Sequence, residues 1–281
     1  MVALIKSVAA MKTFSDALRK KGRTIGLVPT MGYLHEGHLS LVKEAKKRND
    51  AVIVSIFVNP AQFGPKEDLK KYPRDLKKDM KLLSKLNISA VFFPSVSEIY
   101  PEGFSTYIEV EGLSDKLCGA SRPGHFRGVA TVVAKLLNIV KPDTAYFGEK
   151  DFQQLVILKR MVRDLNMDVK IIPMPIIREI DGLAMSSRNS YLNREERQKA
   201  PALNKALEFA KMLASEGVKD AKTIKSAIAK LINTEKGIRI DYVSICDLET
   251  LEEKNTVNGN TLIAIAAYIG KTRLIDNTVI K

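Results

Sequence analysis

Apolar residues fall into two interleaved rhythms as far as about residue 175. Short continuous apolar runs stand at TIGLV (24–28), AVIVSIFV (51–58), AVFF (90–93), TAYF (144–147) and VKIIP (169–173). Such runs predict buried strands, and the β-branched run at 51–58 predicts one covered on both faces. Between them the spacing lengthens to that of a helix. Val129, Val132, Val133, Leu136, Leu137 and Val140 fall at i, i+3, i+4, i+7, i+8 and i+11, which marks one apolar stripe. Leu76, Met80, Leu83 and Leu86 mark another, on a helix predicted over 69–86. Further helices are predicted from His38 through Lys47 and over 152–165, and the first 21 residues predict a strand and a helix. Strands alternating with helices predict an α/β fold: a Rossmann-like, doubly wound parallel sheet, with ligands at the carboxyl ends of its strands.

Beyond about residue 175 the rhythm changes. Two Lys/Ala-rich helices are predicted over 194–216 and 221–233, then strands IRIDYVSI (238–245) and LIAIAAYI (262–269) around the turn-rich NTVNGN (255–260). This predicts a smaller C-terminal α+β domain, and divides the chain into residues 1–175 and 176–281. A chain of 281 residues has room for both. No apolar run reaches about 18 residues, and the opening segment is too interrupted for a signal peptide, so the expectation is a cytoplasmic protein off the membrane. Cys118 and Cys246 match no ligand spacing and read as small buried residues. The net charge of +13 fits either nucleic acid or an anionic substrate drawn to a basic cleft. Much of the excess sits on lysine-rich helices at helical spacing, which reads as solvated faces. Aromatic residues are 6 % with no Trp, and the stacking platforms of an RNA-binding protein are missing from the sequence.

The stretch VPTMGYLHEGHLSLV (28–42) leaves a predicted strand, turns through Gly32 and enters a helix near His38. A helix start offers backbone N–H groups and a positive dipole end, which suits phosphate. Imidazoles placed there can donate to a phosphoryl oxygen as charge builds on it, and Gly32 and Gly37 permit close backbone approach. A His-x-x-His pair is also half of a metal site, or a structural pair; the remaining histidine is His125, and no Cys or carboxylate cluster completes a tetrahedron.

HEGH resembles the HIGH signature of the nucleotidyltransferase superfamily, which includes the class I aminoacyl-tRNA synthetases. In the place of their second phosphate motif stands AMSSRN (184–189), whose Ser186, Ser187 and Arg188 suit a clamp on a triphosphate. It lacks the first lysine of KMSKS. FVNPAQF (57–63), RPGHFRGVATVVAKLLNIVKPD (122–143), FGEKDFQQ (147–154) and REIDGLAMSSRN (178–189) accompany PTMGYLHEGH in order. Together these motifs resemble the pantothenate synthetase family, to about residue 195.

The resemblance implies ATP, pantoate and β-alanine as substrates, a pantoyl-adenylate intermediate, Mg²⁺ to neutralise the triphosphate, and a homodimer. It implies an ATP site of Met31, Gly32, Tyr33, Leu34, His35, Glu36, Gly37 and His38, with His38 catalytic beside His35. It adds Gly148, Glu149, Lys150 and Asp151, with Lys150 catalytic on a phosphate and Asp151 on a ribose hydroxyl. Ile177 would meet the adenine through its backbone, and Met185, Ser186, Ser187 and Arg188 would close on the phosphates. Gln62 and Gln154 would bind pantoate, an amide being able both to donate and to accept. Asp79 is one candidate for the metal. A nucleotidyltransferase of the same superfamily, making a nucleotidyl product in place of an amide, is the nearest rival reading.

Overall fold

The computed structural model describes residues 2–65 and 67–281. Six parallel strands form the main sheet: β1 (Ala3–Ile5), β2 (Ile25–Thr30), β3 (Ala51–Ile56), β4 (Ala90–Phe92), β5 (Thr144–Gly148) and β6 (Lys170–Met174), in the order β1-β4-β3-β2-β5-β6. Alternation along each strand assigns its side chains to two cores. Ile25, Leu27, Ile53, Ala145 and Phe147 face one, and Val28, Val52, Val54 and Tyr146 face the other. Helices cover both, as two-faced burial requires. α1 (Val8–Lys20) and α2 (Glu36–Arg48) follow β1 and β2; α3 (Leu76–Lys85) and the single turn α4 (Val96–Ile99) flank β4; α5 (Cys118–Ser121), α6 (His125–Val140) and α7 (Phe152–Asp164) surround β5. The stripe Val129 to Val140 is buried as its spacing demands.

The C-terminal part carries α8 (Arg194–Lys199), α9 (Ala202–Ser215) and α10 (Ala221–Asn233), then an antiparallel sheet β7 (Ile238–Asp247), β8 (Thr261–Ile269) and β9 (Thr272–Ile280). One face of that sheet, with Ile245, Ile263 and Ile265, packs under α9 and α10. The other, with Cys246, Leu262 and Ala264, joins the core formed around α6 and α7.

Besides the four-residue helices α4 and α5, too short to show a periodicity, three elements depart from the sequence reading. The helix expected over 69–86 begins at Leu76, where Asp75 caps it by accepting from the Lys78 N–H. The helix expected over 194–216 is two, parted at Ala200 and Pro201, because proline has no N–H to continue the first. The third strand of the small sheet, β9, was not anticipated: Arg273 and Asp276 interrupt its apolar alternation, and both are paired in the fold.

Candidate active site

β3 and β4 lie on one side of β2, and β5 and β6 on the other. The crossovers therefore diverge between β2 and β5, the place where an open parallel sheet leaves a crevice at its carboxyl edge. A cleft of about 230 Å³ opens there. The loop after β2, the turn after β5, α6 from His125 to Leu136 and the segment 185–188 wall it.

The loop after β2 is set by backbone geometry. Gly32 and Tyr33 both take the left-handed conformation, at φ 84° and 54°, so that consecutive amides turn to one side. The buried Asp79 collects them, its carboxylate accepting from the Tyr33 and Leu34 N–H groups at 2.8 Å each. Asp79 is thus the anchor of this turn and does not line the cleft, which removes it as a metal candidate. Among the described residues no group of three His, Cys, Asp or Glu side chains converges as a metal site.

α2 then starts with an unusual cap. His35 Nδ1 accepts from the Gly37 N–H at 3.2 Å, and His38 Nδ1 accepts from the His35 N–H at 3.4 Å. The helix-start amides expected to be free for phosphate are in part taken up by the histidines themselves. A Cβ on Gly37 would stand 2.8 Å from His35 Cε1, so only glycine lets that ring fold over the backbone. With each Nδ1 an acceptor, the proton of each neutral ring sits on Nε2. Burial, then the Lys150 charge, lowers His35 to about 4. Burial, then His35 and Lys150, lowers His38 to about 3. The rings lie 4.0 Å apart, tilted by 39°. The pair is therefore two neutral N–H donors at the positive end of a helix, suited to a developing anion.

The turn after β5 supplies Gly148, Lys150 and Asp151 to the wall, with Gln154 on the first turn of α7. Lys150 makes no ion pair among the described residues. Its neighbour Gln153 is buried and structural, accepting from the Cys118 N–H and donating to the Leu113 and Lys116 carbonyls. Gln62 lies across the cleft, its amide accepting from Asn59 Nδ2 at 3.1 Å and donating to Met31 Sδ at 3.2 Å. The Gln62 backbone carbonyl accepts from His125 Nδ1 at 2.7 Å. Because Arg122 can only donate, the 3.0 Å contact between its Nη1 and His125 Nε2 leaves the proton on Nδ1. Burial, then the adjacent Arg122 charge, lowers His125 to about 4.

Ile177 and the segment from Met185 to Arg188 close the remaining side. The Met185 N–H donates to the Ile177 carbonyl at 2.9 Å, and Ser187 Oγ donates to the Tyr33 carbonyl at 3.2 Å, tying this segment to the histidine loop. Arg188 is held by Asp68 through two bonds of 2.9 Å.

Of the residues singled out in the sequence, Met31, His35, Gly37, His38, Gln62, Gly148, Lys150, Asp151, Gln154, Ile177, Met185, Ser186, Ser187 and Arg188 meet in this cleft. Gly32, Tyr33, Leu34, Glu36 and Glu149 do not line it. Leu34 is buried in the core, and Glu36 points outward to Lys43 at 2.9 Å. Asn59, Tyr72, Arg122 and His125 line it as well. Asn59 was legible as the cap in Asn-Pro, whose side chain accepts from the Ala61 N–H; Tyr72, alone in a turn, carried no signal.

Fold and cleft define the class: an α/β enzyme with an anion-suited site at its topological switch point. Residues 3–279 match the family model described as pantoate-beta-alanine ligase. The chain is 57 % identical over 277 residues to the pantothenate synthetase of Thermotoga petrophila, across 99 % of each chain. It is 54 % identical over 278 residues to that of Moorella thermoacetica, across 99 % of this chain and 98 % of the other. The crystal structure of pantothenate synthetase from Thermus thermophilus superposes with a TM-score of 0.94 at 45 % identity, covering 99 % of each chain. That of pantoate-beta-alanine ligase from Francisella tularensis, complexed with beta-gamma ATP and beta-alanine, gives 0.82 at 38 % identity, covering 99 % of this chain and 98 % of that one. This chain belongs to the pantoate-beta-alanine ligase family.

Proposed function

We propose that the chain condenses pantoate with β-alanine through a pantoyl-adenylate, releasing AMP and pyrophosphate. The observation that carries this reading is the meeting of HEGH and MSSRN across one cleft, linked by the Ser187–Tyr33 bond. One segment faces the reacting phosphate and the other the departing one. The Francisella relative, complexed with beta-gamma ATP and beta-alanine, supports the same pair of substrates here.

In the first step a pantoate carboxylate oxygen attacks the α-phosphorus and the bond to the bridging oxygen of pyrophosphate breaks. The Nε2–H groups of His35 and His38 donate to the crowded phosphorus oxygens, and Lys150 balances their charge. Ser186, Ser187 and Arg188 hold the leaving pyrophosphate, Arg188 exchanging Asp68 for phosphate. Asp151 takes a ribose hydroxyl and Ile177 borders the adenine. Gln62, already oriented by Asn59, and Gln154 bind the pantoate hydroxyls. In the second step the neutral amine of β-alanine attacks the acyl carbon, AMP departs with the carboxylate oxygen, and the amine loses a proton. Mg²⁺ would neutralise the triphosphate, and because no group of three His, Cys, Asp or Glu side chains converges among the described residues, it would come with the nucleotide. Residues 1–175 bind pantoate and most of ATP, and residues 176–281 act as a lid that brings Ile177 and Ser186–Arg188 onto the nucleotide and keeps water from the mixed anhydride. The working form is a cytoplasmic homodimer, which light scattering of the purified protein tests.

The decisive experiment uses pantoate labelled with ¹⁸O in its carboxylate. One label passes into AMP during turnover if the adenylate forms. Label in inorganic phosphate with ADP as product would overturn the reading. Pyrophosphate is also expected from pantoate and MgATP without β-alanine.

A further inference from the structure

Both segments facing the proposed phosphates lean on two adjacent residues of the last strand. Asn277 of β9 is 6 % exposed. Its side-chain amide nitrogen donates to the backbone carbonyls of Glu149 at 3.0 Å and of Lys150 at 2.9 Å. The two hydrogens of one NH₂ group thus reach consecutive carbonyls of the turn that carries Lys150. With two carbonyl oxygens before it, the amide has one admissible orientation. Asp276, 3 % exposed, accepts from both ends of the Arg178 guanidinium at 2.6 and 3.0 Å. Arg178 also donates to the Gly182 carbonyl, bracing the hairpin that leads into Met185–Arg188. Neither Asp276 nor Asn277 lines the histidine cleft.

The turn after β5 has little else to hold it. It is a three-residue 3-10 turn, Glu149–Asp151, with no side-chain cap, and α7 begins directly after it, also without one. Lysine carries its charge on a flexible four-carbon stem, so the reach of its ammonium depends on where its backbone is fixed. Here the small C-terminal sheet fixes it, from a residue more than a hundred positions away.

We propose that Asn277 is a positioning residue for Lys150, setting the backbone from which the lysine reaches phosphate. The inference rests on the reading of Lys150 as a phosphate ligand given above. It predicts coupling: the effect of Asn277 on nucleotide must pass through Lys150 and vanish when that ammonium is absent.

The test is a double-mutant cycle on MgATP affinity, read by titration calorimetry, with wild type, Asn277→Ala, Lys150→Ala and the double variant. Calorimetry remains informative in variants without turnover. Asn277→Ala is expected to weaken MgATP about tenfold, the scale of one charge-assisted contact, with pantoate affinity unchanged. In the Lys150→Ala background the same substitution is expected to change MgATP affinity by less than about twofold. Asn277→Asp, which sets carboxylate lone pairs against both carbonyls, is expected to lose more than Asn277→Ala. An equal loss in both backgrounds, or unchanged MgATP binding by a folded Asn277→Ala, overturns the positioning role. Unchanged binding by Lys150→Ala alone overturns instead the phosphate reading on which the inference stands. Should Asn277→Ala not fold, Asn277→Ser, which keeps one donor, runs through the same cycle with the same criteria.

Discussion

At the scale of single residues, the chemistry depends on which atom of a side chain the fold leaves free. His38 spends Nδ1 on the His35 N–H and keeps Nε2–H for the cleft. His38→Ala removes that donor together with part of the α2 cap, so pyrophosphate release without β-alanine is expected to fall by ~10²–10³-fold. A folded variant that turns over near the wild-type rate would rule out the role. Gln62 and Gln154 pose a different question, because both are uncharged amides, Gln62 in FVNPAQF and Gln154 on the first turn of α7, just past Lys150. Gln62→Ala and Gln154→Ala are each expected to weaken pantoate by at least about tenfold, the loss of an oriented amide contact, and to leave MgATP little changed. Separate titrations of the two ligands decide it; equal losses for both would mean that the cleft had collapsed and that no specific contact was lost.

At the scale of elements, the Gln62 side of the cleft is built by a close approach. A Cβ on Gly128 of α6 would lie 2.2 Å from the Ala61 carbonyl oxygen, within the 3-10 turn Pro60–Gln62. The Gly128 carbonyl also accepts from Asn59 Nδ2, the group that orients Gln62. Gly128→Ala must push α6 and that turn apart, at a cost of about 1–3 kcal/mol. Its melting temperature is expected to drop, and pantoate binding to weaken beyond what the stability loss accounts for. Wild-type values for both would show that the contact can relax. Glycine in a helix gives no such hint by itself, and this contact was illegible because it depends on packing between distant segments. The main strands and the α6 stripe were legible, since periodicity reports burial directly. The same reasoning missed β9, whose Asp276 and Arg273 look like surface charges until Arg178 and Asp241 stand opposite them. In the cleft, HEGH and MSSRN were legible as short motifs with their own chemistry. Asp79 was misplaced for the converse reason: an acidic residue on a lysine-rich helix showed nothing of the two amides, 45 and 46 positions away, that it binds.

At the scale of the whole molecule, charge and burial pull apart. Lys77, Lys78, Lys81 and Lys85 of α3 are exposed, as solvated faces require, while all three histidines sit around the cleft and are held neutral. This links stability to pH with a definite sign. His35, His38 and His125 fall to about 4, 3 and 4 in the fold, against about 6.5 when unfolded, burial being the first cause in each. Between those values the unfolded chain binds more protons than the native one, so stability rises with pH. It is complete above about 6.5 and is lost as the pH falls toward 4, by up to about 1.4 kcal/mol per pH unit for each histidine. Melting temperature is therefore expected to decline steadily from pH 7 to pH 5, before the acidic window in which the Asp68 and Glu67 carboxylates lose their arginine partners. His125→Asn removes one of the three linked protons and is expected to give a shallower decline, measured by calorimetry in matched buffers. Adenylation should behave differently over the same range: a neutral imidazole pair persists to pH 5, so the rate of the folded enzyme is expected to show no protonation step near 6.5 from His35 or His38. A flat melting temperature across this window, or an activity step near 6.5 that His38→Asn abolishes, would mean that the imidazoles are far better solvated than their burial implies.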